Sequence, residues 1–187
     1  MSAALNCNIS FIGGGNMAQA LIGGLIARGL PATRITVSDP VEKVRLLLAE
    51  KEVNVTDDNI AAIKHADIVL FAVKPQVLAD VLKPLQGLLD GKLIISIVAG
   101  AEIATLSSLL GTDRIVRVMP NTPALVQTGA HGLFANADMS TADRELASQV
   151  LASTGLTIWV NSETQIDAVT AVSGSGPAYF FYMMESM

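Results

Sequence analysis

The chain has 187 residues, of which 51% are apolar and 16% charged, and its formal net charge is −5. No apolar run reaches the roughly 18 residues of a membrane span, so the apolar surplus indicates a subunit interface rather than a bilayer contact. The acidic balance, without a basic cluster, argues against nucleic acid as a partner. A single cysteine, Cys7, excludes an internal disulfide, and the segment 1–5 lacks a secretory-signal pattern, so we expect a cytoplasmic protein.

The first predicted element is a strand at 8–12, followed without interruption by a glycine turn and an apolar helix. In the pattern G-x-G-x-x-A, Gly13 permits a tight bend and Gly15 lets the backbone approach a pyrophosphate. Ala18 is small enough for the helix to pack closely on its strand. The helix also begins with N–H groups that face phosphates. This order predicts a dinucleotide site, and the alternative is a purely structural glycine turn.

Apolar strands and helices then alternate along the chain. Strands are predicted at 34–38, 53–55, 67–73, 92–98 and 114–119, and helices between them at 41–51, 59–65, 76–85 and 102–110. Such alternation predicts an α/β fold with a doubly wound, mostly parallel sheet of the Rossmann type. Beyond Pro120 the regular alternation of strands and helices ends. The pattern there predicts a strand at 129–135, a helix at 141–153 and a strand at 156–160.

A domain boundary is predicted near Ser162. Residues 1–162 form the dinucleotide-binding domain, and 163–187 read as helical except at Ser173–Pro177, where we expect one helix to end and another to begin. The second unit is too short to form a core unaided. We therefore expect it to be the truncated start of an all-α domain.

The second strand ends at Asp39. An acidic side chain at this position accepts hydrogen bonds from the adenosine ribose and repels a 2′-phosphate, which favours NAD. Arg34 and Lys43 lie nearby in the sequence and could neutralise a phosphate, so the choice between NAD and NADP stays open. The structural alternative is an aspartate that caps a helix before Pro40.

Three further loops follow predicted sheet strands, at 73–75, 99–100 and 119–123. Ligands of open α/β sheets bind at the carboxyl ends of the strands. Lys74 lies in the first of these loops, and three roles remain open for it: a catalytic acid, a phosphate contact or a solvated lysine. The pair at 99–100 is small enough for a nicotinamide ring to lie against backbone, and Asn121 offers uncharged polar groups.

The two histidines, His65 and His131, are expected to be structural rather than catalytic. No cluster of histidine, cysteine and acidic residues has the spacing of a metal site. No serine, histidine and acid arrangement indicates acyl transfer.

Four segments together closely resemble the pyrroline-5-carboxylate reductase family: 11–18, 72–75, 119–123 and 167–179. The resemblance runs the whole length of the chain, with the motifs in the family's order. It implies NAD(P)H-dependent reduction of the cyclic imine 1-pyrroline-5-carboxylate to L-proline, the last step of proline biosynthesis. It also implies a helical dimerisation domain, and hence a homodimer or a higher homo-oligomer.

The residues and the resemblance together give a set of expected site residues. The expected cofactor-binding residues are Gly13, Gly14, Gly15, Asn16, Met17, Ala18, Asp39, Asn59, Ala72, Val73, Lys74, Pro75, Ala99, Gly100 and Asn121. The expected catalytic and substrate-facing residues are Lys74, Thr170, Ser173, Ser175, Gly176 and Pro177. Family members often carry a small polar residue where Asp39 stands, which favours NADPH. The family's last signature, which grips the substrate carboxylate, is expected beyond Met187.

The chemistry suits a chain without an obvious catalytic histidine or cysteine. A protonated cyclic imine accepts hydride from nicotinamide, so the protein mainly orients two rings. We expect the backbone N–H groups and hydroxyls of Ser173–Pro177, at a helix start, to fix that orientation. One rival is a β-hydroxyacid dehydrogenase, but those enzymes place Lys and then Asn on the helix where this chain has 178–182, without either. Another is a non-catalytic nucleotide-binding protein.

Overall fold

The computed structural model describes residues 5–187; the first four residues, part of the segment without a secretory-signal pattern, lie outside the described residues. The strands are β1 (Ile9–Ile12), β2 (Ile35–Ser38), β3 (Asn54–Thr56), β4 (Ile68–Phe71), β5 (Leu93–Ser96), β6 (Ile115–Met119), β7 (Gly129–Ala135) and β8 (Gly155–Trp159). The helices are α1 (Asn16–Ala27), α2 (Glu42–Ala49), α3 (Asn59–Ile63), α4 (Leu78–Leu82), α5 (Ile103–Leu110), α6 (Thr141–Ala152), α7 (Thr164–Val169) and α8 (Gly176–Ser186).

The eight strands form one sheet in the order β3-β2-β1-β4-β5-β6-β7-β8. The first six pair in parallel, and their order 3-2-1-4-5-6 is that of dinucleotide-binding domains. The doubly wound, mostly parallel sheet is therefore confirmed. β7 pairs antiparallel with β6, and β8 pairs in parallel with β7. These two strands extend the sheet at one edge.

Helices cover both faces of the sheet, and neighbouring strand residues belong to two different cores. Phe11 and Leu70 pack with residues of α1 and α6, whereas Ile12 and Phe71 pack with residues of α4 and α5. All four side chains are almost completely buried. Because both faces are covered, the central strands are continuously apolar instead of alternating. Full burial of each such side chain stabilises the fold by roughly 1.5–3 kcal/mol.

The segment at 76–85, predicted as one helix, is divided into three short turns. A 3-10 turn at Pro75–Val77 precedes α4, and another at Lys83–Leu85 follows it. Pro84 lacks a backbone N–H and cannot continue the α-helical ladder, so the end of the segment tightens instead of extending.

The helical path does not break at the glycine-rich run. α7 passes into a π-helical turn at Thr170–Ser175, and α8 follows directly, with Pro177 in its first turn as expected. Ser175 has φ of −93° and ψ of −36°, so the backbone stays helical where a break was predicted. A π-turn takes up an extra residue without leaving the helix, and such turns occur frequently at functional sites.

Candidate active site

Two of the three glycines in the turn between β1 and α1, Gly13 and Gly15, have different requirements. Gly13 has φ of +99°, and a Cβ there would lie 2.7 Å from the carbonyl oxygen of Ala72, so only glycine fits. Gly15 has an ordinary φ of −65°, and a Cβ there would meet no atom of the described chain within 4 Å. The packing of the described chain does not demand glycine at position 15, whereas a pyrophosphate lying against the backbone would demand it.

The first turn of α1 faces the same space. The first intrahelical hydrogen bond runs from the Gln19 N–H to the Gly15 carbonyl, so the N–H groups of Asn16, Met17 and Ala18 have no helical acceptor. α1 is twelve residues long and carries no acidic residue in its first turn and no capping side chain. Free N–H groups at the positive end of a helix bind anions. Ala18 is fully buried, in agreement with its expected role in close packing.

Asp39 follows β2 and is only 9% exposed. Its Oδ2 accepts a hydrogen bond from the Gly14 N–H at 2.8 Å, and its Oδ1 accepts one from the Val41 N–H at 2.9 Å. The carboxylate thus braces both the glycine turn and the approach to α2. It does not cap α2 as the structural alternative predicted, because the N-cap residue of α2 is Val41 and no side chain caps that helix. Each oxygen keeps a further lone pair, so a ribose hydroxyl is still within its acceptor capacity.

A basic residue that sequence reasoning missed lies beside Asp39. Arg45, on α2, donates from Nη1 to the carbonyl oxygens of Asp39 at 2.7 Å and Pro40 at 3.0 Å. Arg34, which the sequence placed near a phosphate, instead precedes β2 and so lies at the opposite end of that strand. Lys43 is exposed on the first turn of α2. Sequence distance could not separate these residues, because a strand carries its two ends to opposite edges of the sheet.

Asn59 and Ala72 complete this end of the groove. The Ser38 hydroxyl donates to Asn59 Oδ1 at 2.6 Å, which orients the amide so that its Nδ2 remains a donor. Ala72 follows β4, and its N–H donates to the Ile12 carbonyl at 2.8 Å, directly before the glycine turn. The structure therefore brings together residues 13–18, Asp39, Asn59 and 72–73.

The next expected residues line the same edge of the sheet without touching the glycine turn. Because β4, β5 and β6 are neighbours, the loops that follow them lie in a row. Lys74 and Pro75 are exposed in the first of these loops, and Lys74 forms no ion pair with any residue in 5–187. In the second loop, Ala99 and Gly100 are also exposed, and Gly100 has φ of +73°.

The third loop lies beneath the π-turn. A Cβ on Gly174 would lie 2.9 Å from the terminal carbon of Met119, the last residue of β6, so the π-turn is held at the carboxyl edge of the sheet. Asn121 accepts a hydrogen bond on Oδ1 from the Ala130 N–H at 2.9 Å, which connects this loop to β7 and leaves its Nδ2 with donor capacity.

The π-turn does not present the free backbone N–H groups that were expected of a helix start. The Thr170 hydroxyl donates to the Ile166 carbonyl at 2.8 Å, and the Ser173 hydroxyl donates to the Val169 carbonyl at 2.9 Å. Both hydroxyl oxygens therefore keep only acceptor capacity for any further partner. The Gly176 N–H, expected to be free, bonds to the Ala171 carbonyl because the helical ladder continues. Ser175 is exposed, and Gly176 and Pro177 are half-buried.

No group of three or more histidine, cysteine or acidic residues within 5–187 could hold a metal ion. His131 is 1% exposed, with Nε2 3.0 Å from the Thr154 hydroxyl, and burial lowers its pKa to about 4. It is neutral at physiological pH and supports the structural interpretation. The helices in the described part of the chain are all too short or too polar to cross a membrane.

An open glycine turn and helix N–H groups without helical acceptors, at the carboxyl edge of a doubly wound sheet with a helical segment against the same edge, are typical of a nicotinamide-dinucleotide oxidoreductase. Residues 8–100 match a family model described as NADP oxidoreductase, coenzyme F420-dependent, and residues 163–187 match the model for pyrroline-5-carboxylate reductase dimerisation.

The similar proteins give the particular family. The pyrroline-5-carboxylate reductase of Pseudomonas aeruginosa is 50% identical over 182 residues, which cover 96% of this chain and 67% of that protein. The structure of the Coxiella burnetii pyrroline-5-carboxylate reductase matches with a TM-score of 0.91 at 42% identity, over 97% of this chain and 69% of that one. The Plasmodium falciparum pyrroline carboxylate reductase, solved with NADP bound, matches with a TM-score of 0.85 at 32% identity, over 97% and 67% of the two chains. This chain belongs to the pyrroline-5-carboxylate reductase family, and it spans about two thirds of the length of these relatives.

Proposed function

We propose that the protein reduces 1-pyrroline-5-carboxylate to L-proline with NAD(P)H, as a cytoplasmic homodimer or higher homo-oligomer. The observation that carries the proposal is that the glycine turn and the π-turn lie along the same edge of the sheet. The open space at Gly15 would accept a pyrophosphate, and the packing of the π-turn on Met119 would place its hydroxyl groups beside a substrate at the nicotinamide end of the groove. The identity of 50% to a named reductase supports the same reaction.

The residues that would hold the dinucleotide form three groups along the edge of the sheet, one for each part of the cofactor. The backbone N–H groups of residues 16–18 would bind the pyrophosphate. Asp39 and Asn59 would contact the adenosine ribose, since both lie at the carboxyl end of β2. The small loop at 99–100 leaves space for the nicotinamide ring, whose reduced form supplies the hydride.

The protein's own part in the reaction is to orient the imine and exclude water. In the reaction, hydride adds to the carbon of the protonated C=N bond, whose electrons become the lone pair of the product amine. Thr170 and Ser173 present hydroxyl oxygens as acceptors toward the iminium N–H or the substrate. His131 is not the proton donor, because its pKa of about 4 leaves it neutral in a buried position. Lys74, exposed in the loop that follows β4, would be the residue that donates from this loop toward the groove.

We place the start of the second domain near residue 163. The dimerisation-model match begins there, and α8 has no buried residue within the described chain. Its aromatic residues Tyr179, Phe180, Phe181 and Tyr182 are all more than 60% exposed. Such a helix is stable when a second apolar surface covers it, and a second subunit provides that surface.

The proposal is tested with the full-length protein by following NAD(P)H oxidation in the presence of pyrroline-5-carboxylate. The comparison assay offers a 3-hydroxy acid with the oxidised nucleotide. Turnover of the imine alone is expected. Turnover of the hydroxy acid alone would assign a β-hydroxyacid dehydrogenase, and nucleotide binding without any turnover would assign a non-catalytic protein.

The π-turn has its own test. Gly174→Val places a branched side chain against Met119, so we expect imine turnover to fall while nucleotide affinity is retained. Gly23→Ala is the matched control, because a Cβ at that position meets nothing within 4 Å. Equal turnover in both variants would remove the π-turn from the substrate site.

A further inference from the structure

Arg117 is a buried cation within the sheet. It lies on β6 and is 4% exposed, two residues before Met119, whose side chain touches the π-turn. A positive charge that is buried to this degree requires anionic partners. Both partners come from the start of the helical segment. Nη1 lies 3.0 Å from Glu163 Oε1, and Nη2 lies 3.3 Å from Asp167 Oδ1.

Glu163 joins three elements at one oxygen atom. Its Oε1 accepts a hydrogen bond from Arg117 on β6 and another, at 2.8 Å, from the N–H of Ile103, the first residue of α5. Glu163 itself immediately precedes α7. Asp167, by contrast, has a side chain that is 73% exposed, so its contribution is screened and weaker. The Arg117–Glu163 ion pair is therefore the main polar contact between α7 and the sheet.

The helical segment has few other anchors. Ile166 is the one fully buried side chain in α7, and Val169 packs over Gly132 of β7. The next turn carries Thr170, whose hydroxyl bonds to the Ile166 carbonyl, so any tilt of α7 moves the substrate-facing turn with it.

We propose that Arg117, acting through Glu163 and to a lesser extent Asp167, is a positioning residue that fixes the π-turn over the carboxyl edge of the sheet for imine reduction. This inference rests on the proposed function. Arg117 touches neither substrate nor cofactor. We expect its effect to be larger at the substrate end of the groove than at the glycine turn that follows β1, because β4 and β5 separate that turn from β6.

The chain contains a matched control for this ion pair. Arg114 directly precedes β6 and pairs with Asp143 of α6, with Nε 2.9 Å from Oδ2. That pair joins the sheet to a helix other than α7. Arg114→Met therefore removes a comparable arginine–carboxylate pair without releasing the π-turn.

The test compares Arg117→Met, Arg117→Lys and Arg114→Met in the full-length protein. We measure kcat and KM for pyrroline-5-carboxylate, Kd for NADPH, and amide hydrogen exchange at residues 164–175. Arg117→Met is expected to lower kcat/KM for the imine on the order of tenfold or more, since small misplacements of an orienting group are costly. Its NADPH Kd stays within about twofold, and exchange at 164–175 accelerates. Arg117→Lys recovers part of the loss because it keeps the charge, and Arg114→Met shows neither the kinetic nor the exchange effect.

Two results would overturn the inference: an imine kcat/KM in Arg117→Met no lower than in Arg114→Met, or unchanged exchange at 164–175. Glu163→Gln covers the case in which Arg117→Met does not fold. It keeps the acceptor for Ile103 but removes the charge, and we expect the same loss in milder form. Should the wild-type protein leave the imine unreduced, the proposed function fails on its own, and the exchange experiment alone then decides whether Arg117 holds α7.

Discussion

The nucleotide-binding sheet and the helical segment that follows it bury their apolar residues in opposite ways. In the sheet, side chains such as Phe71 are buried by strands and helices of the same chain. In the helical segment, Ile166 is buried, whereas Phe181 is 64% exposed and α8 has no buried residue. The first region is stabilised by its own core. The second presents an apolar surface that the described residues leave uncovered, as expected of an interface between subunits.

The largest expected effect contrasts a core aromatic with a surface aromatic. Phe71→Ala should lower the free energy of unfolding by about 3–5 kcal/mol, because it removes buried contacts and leaves a cavity. Phe181→Ala should change the unfolding of the sheet by less than about 1 kcal/mol and instead weaken self-association.

Denaturant unfolding and sedimentation velocity measure the two effects separately. Trp159, the single tryptophan, lies on β8 and reports on the sheet by fluorescence. The comparison of the two regions would be wrong if Phe181→Ala destabilised the sheet as strongly as Phe71→Ala.

The second prediction concerns pH and His131, which belongs to the sheet. Its folded pKa of about 4 is below the ordinary value of 6.5, so the unfolded chain binds a proton that the folded protein does not. Stability is fully present above about pH 6.5 and is lost as the pH falls toward 4, by about 3 kcal/mol in total. His131→Gln, which cannot titrate, should flatten the unfolding free energy in this window.

Asp143 is a control that distinguishes the titration of His131 from the titration of a carboxylate. Hydrogen bonding to Arg114 lowers the pKa of Asp143 from 3.8, so its contribution is lost only at still lower pH. An unchanged pH profile in His131→Gln would exclude His131 as the source of the acid sensitivity.

The third prediction separates the two kinds of glycine on or beside α1. Gly15→Val should leave the melting temperature nearly unchanged, because no atom of the described chain occupies the space, but weaken nucleotide binding on the order of 100-fold by blocking the pyrophosphate. Gly23→Ala also fills empty space, in the helix interior, and should stabilise the fold by about 0.5–1 kcal/mol without affecting nucleotide affinity. Thermal melts and nucleotide titrations check both. Equal affinities in the two variants would contradict the pyrophosphate assignment.

The smallest effect concerns cofactor choice. Asp39→Ser removes a carboxylate from the adenosine end of the groove, so we expect the ratio of NADPH to NADH efficiency to rise about tenfold. Because the carboxylate also receives the N–H groups of Gly14 and Val41, the variant should lose about 1–2 kcal/mol of stability. Steady-state kinetics with both nucleotides measure the ratio. A loss of stability with an unchanged ratio would leave Asp39 as a brace of the glycine turn only.

Much of the fold could be predicted because strand and helix periods are local properties. The strand at 129–135 was predicted with its observed bounds, and the strand before the glycine turn was predicted within one residue. The break expected at the glycine-rich run failed for a physical reason. Glycine and serine lower helix propensity, but packing against Met119 and continued backbone hydrogen bonding keep this segment helical.

The sequence by itself determined the alternation of strands and helices, the glycine turn and the four family motifs, because each of these depends on neighbours only a few residues apart. The tertiary structure alone decided which charges meet. Arg34 is close to Asp39 along the chain but lies at the far end of β2, while Arg45 reaches its carbonyl. Arg117 finds Glu163 across 46 residues of sequence. A charged side chain interacts over a few ångströms of space, and the path of the backbone through the sheet sets which residues share that space.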